Sequence, residues 1–111
     1  MFLPGTKKIA KILGLQSSGK QFKGVCSGIG VELEDAFFKK VIKLTVPQIT
    51  YDDMVWLEQY HHDYFAKDVK ASSNVITMEF PGFPSIYPID RTCDMINKAI
   101  KYFNTHYFQD L

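Results

Sequence analysis

The sequence predicts an all-α domain, a small bundle of three long helices and one short N-terminal helix with a Pro-rich extended crossover. Three observations predict it. Apolar residues recur at helical spacing over three long stretches, typified by Ile29, Leu33, Ala36, Phe37, Val41 and Leu44. Helix punctuation brackets those stretches, with Gly14, Pro47, Thr50 and Asp90 at expected starts and stops. Only residues 75–80 read as a strand, and no second strand stands out to pair with them. At 111 residues the chain fits a single domain over residues 1–111.

The short first helix is capped by Thr6, carries Ile9, Ile12 and Leu13 on one face and stops at Gly14. A polar loop, residues 16–21, follows. The second helix is expected from between Cys26 and Gly30 to about Leu44. Its acids Glu32, Glu34 and Asp35 come early and its bases Lys39, Lys40 and Lys43 late, an order that complements the helix dipole. Asp35 and Lys39 form a favourable i,i+4 pair. The third helix opens on Thr50-Tyr51-Asp52-Asp53, a capping-box spacing. Met54, Leu57, His61, Tyr64 and Phe65 then form a stripe that runs down to about Val69. Trp56 lies off that stripe.

Residues 72–88 break the helical pattern. Pro81, Pro84 and Pro88 fall within eight residues, which prevents helix and favours an extended path. The last helix starts near Asp90 and marks one face with Thr92, Met95, Ile96, Ala99, Ile100, Phe103 and Tyr107.

Composition narrows the function classes. Hydrophobic residues make up 46% and charged residues 23%, so material for a core is present. Thirteen basic against 12 acidic residues leave a formal net charge of +1, with no excess that points to nucleic acid. The lysine clusters at Lys7, Lys8 and Lys11, and at Lys39, Lys40 and Lys43, read as solvated helix faces. No run approaches the roughly 20 apolar residues of a bilayer span. The first residues carry no Sec signal peptide pattern. A soluble protein without membrane or nucleic-acid partners is expected.

One segment carries possible chemistry. Phe22 to Gly30 places Cys26 between Gly24 and Gly28 at the expected start of a helix. Flanking glycines leave the sulfur uncovered, and a helix N-terminus stabilises a thiolate. Gly24-Val25-Cys26-Ser27-Gly28 resembles the nucleophile segment of papain-like cysteine proteases found among bacterial secreted effectors. Leu3-Pro4-Gly5-Thr6 and the polar linker beyond it look like the start of some Legionella-type effector proteins. The resemblance spans residues 3–44. It implies that Cys26 is a nucleophile with a histidine and an Asp or Asn supplied later in the chain, or else that this chain is the nucleophile half of a longer protein or keeps the helical shell without the chemistry. It also implies a protein of the bacterial cytoplasm, or one secreted into a host cell by a dedicated system. In such enzymes the histidine comes from a strand, whereas His61, His62 and His106 all fall on predicted helices.

His61 or His106 is the candidate base, and the sequence does not choose between them. His61 and His62 are adjacent and cannot both point into one site from a regular helix, so no metal site is expected. The Gly-Lys pair at Gly19-Lys20 is followed by Gln21, which a phosphate loop excludes, and no cofactor is expected. Two functions remain. One is an effector-like helical module that binds another protein through Trp56, Phe80, Phe83, Tyr87 and the C-terminal aromatics. The other is a thiol enzyme that uses Cys26.

Overall fold

The computed structural model describes residues 2–64, 68–83 and 88–108, without the side chains of 61–64. It overturns the all-α expectation. The elements run α1 (Thr6–Leu13), β1 (Gln16–Ser18), β2 (Gln21–Cys26), β3 (Ile29–Ala36), β4 (Lys39–Thr45), α2 (Tyr51–Tyr64), β5 (Asp68–Ser72), β6 (Val75–Pro81) and α3 (Ile89–Tyr107). The six strands form one antiparallel sheet in the order β1-β2-β3-β4-β6-β5.

The expected second helix is two strands, β3 and β4. Its helical spacing coexists with a period-2 alternation, Ile29, Val31, Leu33 and then Ile42, Leu44, Val46. Period 2 wins because these β-branched and apolar residues all reach one face of the sheet. Leu33 lies opposite Ile42 and Val31 opposite Leu44, and Met78 and Ile76 continue the rows on β6. All six are almost completely buried. Of the acids and bases read as a helix-dipole pattern, Glu32, Glu34, Lys39 and Lys43 are instead part of a ladder on the other face, while Asp35 lies opposite Lys40 on the covered face. Lys23 meets Glu32 at 3.6 Å, Glu34 meets Lys43 at 3.9 Å, and Lys39 pairs with Glu79. Exposed pairs of this kind contribute at most about 1 kcal/mol each.

The helices cover the apolar face. Ile9 and Ala10 of α1 and Met95, Ile96, Ala99, Ile100 and Phe103 of α3 are buried in one core with Leu57 and Tyr60 of α2. The expected face of the last helix is therefore the observed one. Gly14 ends α1 in the left-handed region, as its position predicts. Thr6 does not cap α1: Gly5 occupies the cap position, and Thr6 is buried with its hydroxyl on Asp35. The capping box at α2 is present, since Thr50 N–H donates to Asp53 Oδ2 at 2.8 Å and Asp53 N–H to Thr50 Oγ1 at 3.3 Å. The buried face of α2 runs through Asp53, Leu57 and Tyr60, while Met54 faces outward. Val69 belongs to β5 rather than to this helix.

Residues 75–81 are indeed a strand, and the missing partners are β4 and β5. Phe80 lies at the end of the buried row with no exposed surface, so it is a core residue and not a partner contact. Phe80→Ala should lower unfolding free energy in urea by about 3–5 kcal/mol, the usual loss for a buried Phe that leaves a cavity.

Candidate functional site

The β3–β4 hairpin turns through Phe37 and Phe38 with Ala36 opposite Lys39. Neither turn residue is Gly, Asn, Asp or Pro. Phe38 sits at φ 57, in the left-handed region that a side chain disfavours. Both rings face solvent, with Phe37 85% and Phe38 60% exposed. They contact each other edge-on, with centroids 4.3 Å apart, and half-buried Phe83 lies 6.1 Å from Phe38. The three rings make one aromatic tip.

The base of this tip is clamped. Gly82 N–H donates to Phe38 O at 3.0 Å. A Cβ on Gly82 would lie 2.7 Å from that same oxygen, so only glycine allows the approach. Asp35 and Lys40 face each other on the helix-covered side of the sheet. The Lys40 ammonium donates to Pro4 O at 2.8 Å and to Gly82 O. The Asp35 carboxylate accepts Leu3 N–H and the Thr6 hydroxyl, each at 2.7 Å. Burial lowers the Lys40 pKa, and the negative charge of Asp35 partly restores it. The chain start and the Gly82 segment are thereby tied to the root of the hairpin.

A second polar cluster joins α2 to α3. Asp53 is buried and accepts hydrogen bonds from Tyr102 at 2.7 Å and from Tyr107. Burial alone would raise its pKa. The donors, the Thr50 amide foremost and then Tyr107, Tyr102 and the Thr50 hydroxyl, outweigh burial and hold the carboxyl below its usual range. Burial and the Asp53 carboxylate push both tyrosine hydroxyls up, so they stay protonated donors. Trp56 stacks on Tyr60 and on Tyr102, with centroids 4.8 and 4.0 Å away. This expected partner residue is half-buried within an internal aromatic stack. Phe103 is core, and Phe108 packs over Gly28.

The expected thiol site is built differently from its sequence reading. Cys26 ends a strand and precedes the Ser27-Gly28 turn, so no helix N-terminus faces its sulfur. Its thiol donates to Leu13 O at 3.2 Å, and burial raises its pKa. His106 is exposed on α3, where its Nδ1–H donates to Tyr102 O at 2.8 Å. The His61 side chain and all of Tyr87 lie outside the described residues. Cys93 is buried, and burial followed by Asp90 and Asp94 raises its pKa. Among the described residues no group of three or more His, Cys, Asp or Glu gathers as a metal site would require.

Sequence reasoning missed Phe37 and Phe38 because it assigned them to a helix. The available signal was two adjacent aromatics between an acidic and a basic run, a pattern that a helix stripe does not need.

Two outcomes follow from these clusters. On the folded protein, Cys26 should alkylate more slowly at pH 7 than a free thiol of pKa about 8.5, and unfolding should abolish the difference. Because the folded Asp53 carboxyl is held below its usual range, the stability it confers is present at neutral pH and is lost on acidification. Asp53→Asn should lower stability at pH 7 by about 1–3 kcal/mol and flatten the acid limb of a Tm-versus-pH curve. No protein-family model, curated protein or solved structure matches this chain.

Proposed function

We propose that this protein is a protein-binding module that presents the Phe37-Phe38 turn, backed by Phe83, to a pocket on a protein partner. The observation that carries this reading is Phe38 itself, an exposed aromatic held at positive φ. Glycine or asparagine would form the same turn without that strain, which is roughly 1–2 kcal/mol for an ordinary side chain. An exposed Phe also forgoes about 2 kcal/mol of burial. A residue that is unfavourable to the fold on both counts is a candidate for function.

The shape of the site favours a protein. A convex tip does not enclose a small molecule, whose sites are concave. Aromatic side chains dominate the binding energy of protein interfaces when a partner pocket desolvates them. The clamp below the turn limits the entropy lost on docking, because the rings are carried on a fixed backbone. Among the described residues no helix is long and apolar enough to cross a membrane. The thiol-enzyme reading draws no support from the arrangement of Cys26, whose proton is engaged and whose pKa is raised.

The test is a photo-crosslinking side chain at position 37 of the full chain in cells, followed by affinity measurements with the protein it captures. Phe37→Ser and Phe38→Gly should each weaken that binding by about 30-fold, a hot-spot loss of about 2 kcal/mol. Val25→Ser, at an exposed position elsewhere on the sheet, should not. Phe38→Gly should leave stability unchanged or raise it by up to about 1 kcal/mol as the turn relaxes. Wild-type affinity in both Phe variants, or crosslinks to lipid alone, would sink the proposal.

A further inference from the structure

We infer that the pocket which receives the Phe37-Phe38 tip lies on a second copy of this chain, in the apolar groove between α2 and β5. The inference rests on the reading of the tip as a protein-binding element and names what that element binds.

The chain carries two exposed apolar features of opposite shape. One is the convex tip, whose two rings touch each other and Phe83. The other is a groove lined by Tyr51, Met54, Val55 and Leu57 of α2 with Val69 and Ala71 of β5. Leu57 is buried, whereas Tyr51 is 81%, Met54 46% and Val55 48% exposed. α2 already buries Asp53, Leu57 and Tyr60, so Met54 and Val55 make a second apolar surface on the same helix. A second surface of that kind marks a place where something docks.

Size and charge say what fits. The groove encloses about 550 Å³. An apolar cavity of about 150 Å³ takes one benzene ring, so two phenyl rings need about 300 Å³ and leave room for their methylene stems. α2 carries Asp52, Asp53, Glu58 and Asp63 and no lysine or arginine. Glu58 lines the groove, and it and Asp52 are exposed. Cations stand behind the tip. The Thr6 hydroxyl on Asp35 and the Lys40 ammonium on Pro4 O hold the first turn of α1, with exposed Lys7 and Lys8, at the root of the hairpin. Among the described residues none of Asp52, Glu58, Lys7 and Lys8 is in an ion pair. An aromatic tip backed by ammonium groups therefore matches an apolar groove edged by carboxylates, in shape and in charge.

The tip does not serve the groove of its own chain. β6 separates β4 from β5, and the Gly82 amide and the Lys40 ammonium fix the hairpin root. The contact is made between copies, and each copy offers one tip and one groove.

Sedimentation velocity across a concentration series of the full chain tests this. The wild type should self-associate. Phe37→Ser, which removes a ring from the tip, and Val55→Glu, which puts a charge in the groove, should each raise the dissociation constant by about 30-fold. An equal mixture of the two variants should recover association as a one-to-one heterodimer, because one keeps an intact groove and the other an intact tip. That recovery also shows both variants to be folded. In a mixture of isotopically labelled and unlabelled chains, a photo-crosslinker at position 37 should join to residues 51–58 of the other copy. A wild type that stays monomeric up to about 1 mM, association indifferent to either substitution, or variants that stay apart when mixed overturns the inference. If the crosslinker then captures a different protein with Phe37-dependent affinity, the reading of the tip stands and only the identity of its partner falls. If Phe37 and Phe38 matter to no captured protein, both fall.

Discussion

Seven consecutive residue pairs, from Gly30 opposite Thr45 to Ala36 opposite Lys39, set β3 against β4, and the other elements take their places from that register. A slip of one residue would turn the apolar set of one strand, Val31 and Leu33 or Ile42 and Leu44, toward water and that strand's charged residues toward the helices. The correct register does three things at once. It gives α1 and α3 an apolar floor. It aligns Glu32 and Glu34 with lysines on the opposite face. It also puts the turn at Phe37-Phe38, where no residue type asks for one. The turn is therefore a consequence of strand pairing and not its cause, which is how a left-handed Phe is tolerated.

The same register sets Asp35 opposite Lys40 at the rim of the covered face. Two charges are poor company for a core, and the Coulomb gain between them does not repay full desolvation unless further hydrogen bonds are made. They are made. Lys40 takes the carbonyls of Pro4 and Gly82, and Asp35 takes the Leu3 amide and the Thr6 hydroxyl. Two irregular segments that would otherwise hide polar backbone under the hairpin are satisfied by it. This pair therefore contributes specificity more than energy. It fixes where the chain start and the Gly82 segment lie, and so how stiffly the aromatic tip is held.

Much of the helical part of the fold is legible in the sequence. α1 with its Gly14 stop, the Thr50–Asp53 capping box and the buried face of α3 are local features, and local physics decides them. The strands are not legible to the same degree. Ile29, Leu33, Ala36, Phe37, Val41 and Leu44 satisfy a helical period, while Ile29, Val31, Leu33 and Ile42, Leu44, Val46 satisfy a period of 2. Nothing local separates the two, because the usual hairpin marker is absent at Phe37-Phe38. Acids before bases fit a helix dipole as well as they fit two strands folded face to face. The tie is broken by β6, which lies more than thirty residues away and supplies the third row of the core. The candidate site shares that fate. Cys26 stands out because glycines flank it, yet those glycines belong to a hairpin, and Gly28 makes its turn at positive φ. The aromatic tip is not legible while a helical period claims its residues.

One covered face and one charged face also explain where unspent apolar surface remains. A sheet that packs helices on a single side is finished once that side is buried and the other is polar. Val41 on the open face is itself buried among the ladder residues, so the open face holds little apolar surface at its centre. Among the described residues, much of what is left over lies at the tip of the β3–β4 hairpin and on α2 beside β5. These places differ in what they demand. The tip has its backbone hydrogen bonds made and offers only side chains, so it calls for a pocket. The β5 edge instead carries backbone groups that no described strand pairs, beside apolar side chains of α2.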